Sequence, residues 1–440
     1  MKNENNSVNL SRRDFFKDLG AISGGGALLA TFPWLQSCSS DEKQQIAQTR
    51  VRIGLIGTGS RGQYHLNNLK SIPYANVVAL CDNFEPHLKK GMEMFPKAKT
   101  YTDYRKLLED KEIQAVVVAT PLYEHAHMTI EALQAGKHVF CEKSMAMTCK
   151  DCHDMYMEYK KSGNVLFIGQ QRLYDPKYIK AMEMIHSGLI GDICSVRAYW
   201  FRNNDWRRPV PSPELERKIN WRLYKDYSCG LLTELATHQL QVGNWALKMI
   251  PEKVTGMADI VHWKDGREVY DSLNLIYHYG NGVKMTYESM IANKFFGLEE
   301  EIMGTKGTME LEKGKYYFEA GETAPGIMQL INQVEHKVFD NVSFAGPSWV
   351  PETASVNKGH SILDNVTVVS GASSVGAVGD GSLELMTAFC EAAITGRPAQ
   401  NLVEEAYYSS VLSLLGKQAI EEERVITFPD EYKIPYLNFA

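Results

Sequence analysis

Along residues 51–170, short apolar runs alternate with stretches whose apolar positions fall at helical spacing. The runs lie at 51–56, 77–81, 113–119, 138–141 and 165–169. The run at 113–119, IQAVVVA, shows no polar alternation, the mark of a parallel strand buried on both faces. Between the runs, the spacing predicts one helix carrying His65, Leu66 and Leu69, and others over 85–95, 124–135 (closed by Gly136) and 149–162. Another opens at Thr102-Asp103-Tyr104 and carries Leu107 and Leu108. Regular strand–helix succession predicts an α/β, doubly wound parallel sheet. Its strands end at Gly57, Asp82, Thr120, Glu142 and Gln170, all on the carboxyl edge where such sheets bind ligands.

From about residue 172 the pattern changes. One helix, 178–187, stops at Gly188, and strand-like runs then follow at 193–201, 254–262, 271–279, 283–292, 296–304 and 307–312. Gly280-Asn281-Gly282 makes a hairpin turn between two of them. Strands with few intervening helices predict a second, α+β domain with an open, mainly antiparallel or mixed sheet. A single long helix is expected between Cys229 and Met249. Residues 314–380, rich in Gly, Ser and Asn, read as an extended excursion or active-site loop. Helices at 382–395 and 404–423, split by Gly396-Arg397-Pro398, and a strand at 424–428 close the chain. The expected organisation is a signal segment at 1–40, a linker at 41–50, one domain at 51–171, a second at 172–380, and C-terminal helices at 381–440 that pack back on the body.

The first turn of this pattern carries chemistry. Gly57-Thr58-Gly59-Ser60-Arg61-Gly62 joins the first strand to the first helix. Gly57 allows a tight turn, Gly59 lets backbone approach a pyrophosphate, and Gly62 lets helix and strand pack closely. The helix N-terminus then offers unpaired N–H groups and a positive dipole end to phosphates. Asp82 follows about 20 residues on, where a carboxylate accepts from ribose hydroxyls. These features predict a dinucleotide site, with NAD preferred over NADP because Asp82 repels a 2′-phosphate. Arg61, inside the loop, is the residue that argues the other way.

Composition narrows the rest. Among 440 residues, 44% hydrophobic and 23% charged positions describe a globular chain. A net charge of -6 and the absence of a Lys/Arg stripe exclude a nucleic-acid partner. Ser11-Arg12-Arg13-Asp14-Phe15-Phe16-Lys17 resembles a twin-arginine export motif, followed by a Gly/Ala-rich apolar run too short for a spanning helix. Leu35-Gln36-Ser37-Cys38 resembles a lipoprotein cleavage box, which predicts a periplasmic protein with a lipid anchor at Cys38. Of the eight cysteines, Cys149 and Cys152 alone have redox-motif spacing, but without a thioredoxin-like pattern, and no metal site is expected.

Two further places can carry proton chemistry. Lys143, at a strand end beside Glu142 and Ser144, can hold or shuttle a proton if burial lowers its pKa; the plain alternative is a surface lysine. On the helix that follows Gly230, Glu234 and His238 are i and i+4, so a carboxylate is expected to face and orient an imidazole. The plain alternative there is a histidine contacting a neighbouring acid.

The glycine loop at 57–62, Asp82, Thr120-Pro121 with His125, Glu142-Lys143 and the glycine-led helix reaching His238 together resemble the Gfo/Idh/MocA family over about residues 51–312. The resemblance implies a Rossmann domain followed by a mixed α/β sheet that supplies the substrate face and often oligomerises. It implies cofactor contacts from Gly57, Thr58, Gly59, Ser60, Arg61, Gly62, Asp82, Thr120, Pro121, His125, Glu142, Lys143 and Gln170. Lys143 and His238 match the catalytic positions, with Glu234 where an aspartate is usual, and Ser144 replaces the usual proline. Tyr174, Arg202, Trp206, Arg207, Trp221 and Arg222 lie in stretches that often line the substrate side. The implied activity is NAD-dependent oxidation of a sugar, glycoside or polyol, with a retained cofactor if the protein works outside the cytoplasm. Alternatives are an NAD-dependent glycoside hydrolase acting through transient C3 oxidation, although that branch's tyrosine-proline-threonine-histidine signature reads Leu235-Ala236-Thr237-His238 here, and a non-catalytic surface sugar-binding lipoprotein.

Overall fold

The computed structural model describes residues 46, 48–319, 359–363 and 379–435. The twin-arginine motif, Cys38 and most of 314–380 lie outside these residues.

The first sheet has six parallel strands in the order β3-β2-β1-β4-β5-β6. These are β1 (Val51–Ile56), β2 (Ala75–Cys81), β3 (Lys99–Tyr101), β4 (Ala115–Val118), β5 (His138–Cys141) and β6 (Leu166–Ile168). Helices α1 (Ser60–Lys70), α2 (Glu85–Met94), α3 (Tyr104–Glu109), α4 (His125–Gln134) and α5 (Cys149–Ser162) make the crossovers. Their ends follow local chemistry: Asp103 and Thr148 cap α3 and α5 through their side chains, and Gly163 ends α5 in the left-handed conformation. The strand order reverses between β1 and β4, which opens a crevice above their carboxyl ends. β3 is absent from the sequence reading because Lys99-Thr100-Tyr101 is a short, largely exposed edge strand with no apolar run to mark it.

After α6 (Pro176–His186), a second sheet forms in the order β14-β13-β12-β11-β7-β10-β9-β8-β15. Its strands are β7 (Ile193–Phe201), β8 (Pro251–Asp259), β9 (Ser272–Tyr279), β10 (Lys284–Met290), β11 (Leu298–Gly304), β12 (Gly307–Glu310), β13 (Lys315–Phe318), β14 (His360–Ser361) and β15 (Ile426–Thr427). β7 and β10 pair in parallel and the other described pairings are antiparallel, so the sheet is mixed. Residues alternate between buried and open along β9 and β10. One face therefore packs on α8 (Thr237–Leu247) and α10 (Leu402–Glu421), leaving Met257 and Ile276 exposed on the strands. β13 and β14 extend the sheet into what the sequence reads as loop.

The short α7 (Glu216–Ile219) lies between β7 and α8. Helix α9 (Ser382–Thr395) covers the first sheet, where Phe389 meets Phe140 and Phe167 at centroid distances of 5.7 and 5.6 Å. Helix α10 is buried along nearly its whole length and links the two sheets. Its Ser410 Oγ accepts from the Met145 N–H at 3.1 Å, and its Leu412 carbonyl accepts from the Tyr277 hydroxyl at 3.2 Å. This wedge sets the carboxyl edge of the first sheet against the start of α8.

Candidate functional site

The glycine loop forms the first wall of the crevice. Gly57 has φ +93, and a Cβ there would lie 2.7 Å from the Ala119 carbonyl oxygen at the end of β4. A Cβ at Gly62 would lie 1.9 Å from the Gly57 oxygen, so only glycine lets α1 approach the turn. At Gly59 the nearest atoms, on His87, stand 3.6 Å away, which leaves room for a ligand. Gly59 is also the N-cap of α1, and no side chain caps that end. Asp82 Oδ2 accepts from the Thr58 N–H (2.8 Å) and hydroxyl (3.1 Å), and Oδ1 accepts from the Phe84 N–H (2.8 Å). The carboxylate thus fixes the loop and keeps spare lone pairs for a ribose. Thr120, followed by Pro121, keeps a buried hydroxyl without a hydrogen-bond partner among the described residues. Glycine contacts, an uncapped helix start and an orphaned hydroxyl fit a dinucleotide.

Arg61 turns away from a phosphate role. Its Nε donates to Glu142 Oε1 at 2.6 Å, and His65 Nε2 lies 2.7 Å from the same oxygen. Burial opposes the charge on Glu142, but Arg61 and His65 outweigh it and hold the carboxyl well below its ordinary range. His125 is buried and bonded at both nitrogens, Nδ1 to the Ser144 carbonyl (2.8 Å) and Nε2 to the Thr120 carbonyl (3.1 Å). Two carbonyl acceptors demand two N–H donors. Burial works against this, yet Cys141 and those carbonyls raise the imidazole to about 9. The Ser144 hydroxyl donates to the Thr233 carbonyl at 2.7 Å, which ties the strand end to the second domain.

Lys143 and His238 stand on the two sides of that seam. The Lys143 ammonium donates to the Glu234 carbonyl at 2.7 Å, within a π-helical turn, Leu232–Ala236, that precedes α8. Burial lowers its pKa from 10.5, aided by Arg222 and Arg61 and opposed by Glu234 and Glu142. His238 is 5% exposed, and its Nδ1 has no hydrogen-bond partner among the described residues. Burial, then Lys143 and Arg172, push it well below its ordinary range, so it is neutral at neutral pH.

The expected Glu234–His238 pair does not form. The π turn replaces the regular helical spacing, and the Glu234 carboxylate instead accepts from Arg222 Nε at 2.7 Å, with the Ser228 hydroxyl at 3.4 Å. The ring beside His238 is Trp200, at a centroid distance of 5.9 Å. Arg202 stacks on that indole at 4.6 Å.

Other candidates leave the site. Tyr174 is buried beside Phe167 in the core under α9, not on the substrate side. Gln170 donates to Ser409 Oγ of α10 at 3.1 Å, so its amide is directed toward that helix. Arg207 is bound in ion pairs with Glu216 and Asp265. Trp206 takes φ +61 and packs against the main core cluster. Trp221 carries Arg222 on its ring at 4.3 Å and so supports the Arg222–Glu234 pair. The sequence reading missed Trp200, the ring against His238, and Arg172, which pairs with buried Glu300 beneath that ring. Both lie in runs that read as strand and turn, with no spacing signal. Among the described residues no cluster of metal-ligating side chains occurs, and no helix is long and apolar enough to cross a membrane.

A doubly wound sheet with a glycine-loop crevice, joined to a mixed-sheet domain across a seam that has Lys143 on one side and His238 on the other, defines a two-domain dehydrogenase-type oxidoreductase fold. The chain belongs to the Gfo/Idh/MocA family. Residues 51–170 match the family's NAD-binding Rossmann-fold model and residues 178–310 its C-terminal domain, together more than half of the chain. A myo-inositol 2-dehydrogenase of Thermotoga maritima is 37% identical over 204 residues, covering 46% of this chain and 57% of that protein. A glycosyl hydrolase family 109 protein of Stenotrophomonas maltophilia is 31% identical over 237 residues, covering 48% and 50%. The chain spans about half the length of the curated relatives it matches. Levoglucosan dehydrogenase, solved with NADH and levoglucosan, shares the fold at TM-score 0.66 and 20% identity, over 87% of this chain and 100% of that one.

Proposed function

We propose that this protein is an NAD-dependent oxidoreductase that oxidises a CH–OH group of a sugar, glycoside or polyol and keeps its cofactor between turnovers. The observation that carries this reading is the meeting of a depressed lysine, Lys143, and a neutral, buried histidine, His238, at the carboxyl edge of the dinucleotide sheet. When bound, the nicotinamide supplies the hydride acceptor. The loop 57–62, Asp82, Thr120 and Pro121 hold the cofactor. Lys143 Nζ grips the substrate oxygen, and the His238 imidazole takes the hydroxyl proton. Trp200, Arg202 and Arg222 face the hydroxylated ring. Purified full-length protein is denatured and the released nucleotide identified; NAD is expected, and sugars or polyols then reduce it in the intact protein. Failure to release or bind any nicotinamide nucleotide contradicts the reading.

A glycosidase reading is favoured by the family 109 relative. There, oxidation at a ring carbon is transient, and a side chain at the Lys143–His238 seam removes the acidified neighbouring proton while the leaving group departs. Release of an aryl group from aryl glycosides, without net NADH, distinguishes it. We further propose export through the twin-arginine route with an anchor at Cys38 and assembly as a homo-oligomer; membrane fractionation of wild type against Cys38→Ala, and light scattering, test these.

A further inference from the structure

The chain between β7 and α8 crosses from the second domain to the glycine loop. Its course is set from within: Asn220, buried at 2% exposure, accepts from the Arg208 N–H at 2.7 Å and donates to the Arg208 carbonyl at 3.0 Å. Arg207 is locked between Glu216 and Asp265, so the two adjacent arginines have different fates. With its backbone clamped, Arg208 extends Nη1 to 3.2 Å from Ser60 Oγ, at the first residue of α1. Ten residues on, Lys218 donates to the Asn83 carbonyl at 3.1 Å and stands over the Phe84 ring at 5.4 Å. The two cations bracket the crevice from the loop to the position just after Asp82.

Neither cation has a carboxylate partner among the described residues. Arg208 loses burial-related hydration and is further repelled by Arg222, which draws its pKa down. The loop's own arginine cannot serve an anion here, because Glu142 neutralises it at 2.6 Å. A dinucleotide brings two diphosphate charges to the uncapped start of α1, whose dipole supplies only about half a unit of positive charge. A counter-cation adds to that attraction, and Arg208 is in place to supply it.

The geometry points to Arg208 as a diphosphate ligand contributed by the second domain, with Lys218 fastening the same strap over the adenosine half of the cofactor. This inference rests on the NAD reading above. Held so, the cofactor leaves only when the strap lifts, which gives the retention proposed above a physical basis.

The test uses the full chain stripped of nucleotide, with calorimetric titration of NADH, ADP and adenosine. Wild type binds all three, and failure to bind NADH overturns the cofactor reading itself. In Arg208→Gln, ADP and NADH affinity are expected to fall roughly 10- to 100-fold, the loss of one charge-assisted hydrogen bond, while adenosine affinity is unchanged. The salt dependence of ADP binding flattens, Arg208→Lys recovers part of the loss, and NADH release followed by fluorescence accelerates. Lys218→Gln accelerates release without the diphosphate selectivity. Equal weakening of ADP and adenosine in Arg208→Gln, or no change in either, overturns the strap assignment while the wild-type titration leaves the NAD reading intact.

Discussion

Two histidines sit in motif positions on opposite sides of one seam, and their surroundings are opposite. His125, on the first domain, is bonded at both nitrogens and raised to about 9. His238, at the start of α8, keeps a buried nitrogen with no partner among the described residues and is driven far down. The first is a cationic brace between the ends of β4 and β5. The second is a neutral imidazole against Trp200, the one the proposed function makes the base. Hydrogen-bond satisfaction, not position in a motif, separates the braced imidazole from the one left open for chemistry in the proposed function.

The sharpest way to break this contrast is His238→Asn. Turnover is expected to fall roughly a hundred- to ten-thousand-fold, with NADH affinity kept, as measured by steady-state kinetics and titration. Lys143→Met is expected to lose turnover on a similar scale. For sugar oxidation, kcat/KM falls at high pH as Lys143 loses the proton with which it grips the substrate oxygen. Burial places that limb below the ordinary 10.5, and Lys143→Arg moves it upward or removes it.

His125→Phe acts on stability instead. Two buried carbonyls lose their donor, at a cost of about 1 to 3 kcal/mol each, read from denaturant unfolding. The folded imidazole holds its proton above its ordinary 6.5, so its contribution is complete below 6.5 and lost as pH rises through about 9. Wild-type Tm should therefore decline across that window more steeply than that of the variant. Tyr174→Phe is the mildest test: KM for sugar should stay within about twofold, since mutations away from the site have small effects.

Much of the first domain was legible because its signals are local. The run at 51–56, the loop at 57–62 and Asp82 announce strand, turn and acid without distant help. The second sheet was legible as alternation, and its strands fell close to their expected places. What failed depends on distant contacts. Glu234 and His238 have helical spacing in the sequence, but the π turn and Arg222, twelve residues upstream, separate them. Arg207 and Arg208 are indistinguishable as letters; only Asn220, Glu216 and Asp265 decide which one reaches Ser60. Tyr174 follows a strand end that faces the crevice, yet it turns into the core that α9 completes from more than two hundred residues away.

The central claim is that the Lys143–His238 seam oxidises a CH–OH group against a retained nicotinamide. A single-turnover experiment addresses it directly: protein carrying its oxidised cofactor is mixed with a panel of sugars, glycosides and polyols, and reduced nicotinamide is followed by absorbance in wild type and His238→Asn. The account predicts prompt reduction in wild type with at least one compound, and a large slowing in the variant despite equal cofactor content. Reduction at equal rates in both proteins, or none in a wild type shown to hold NAD, would contradict it.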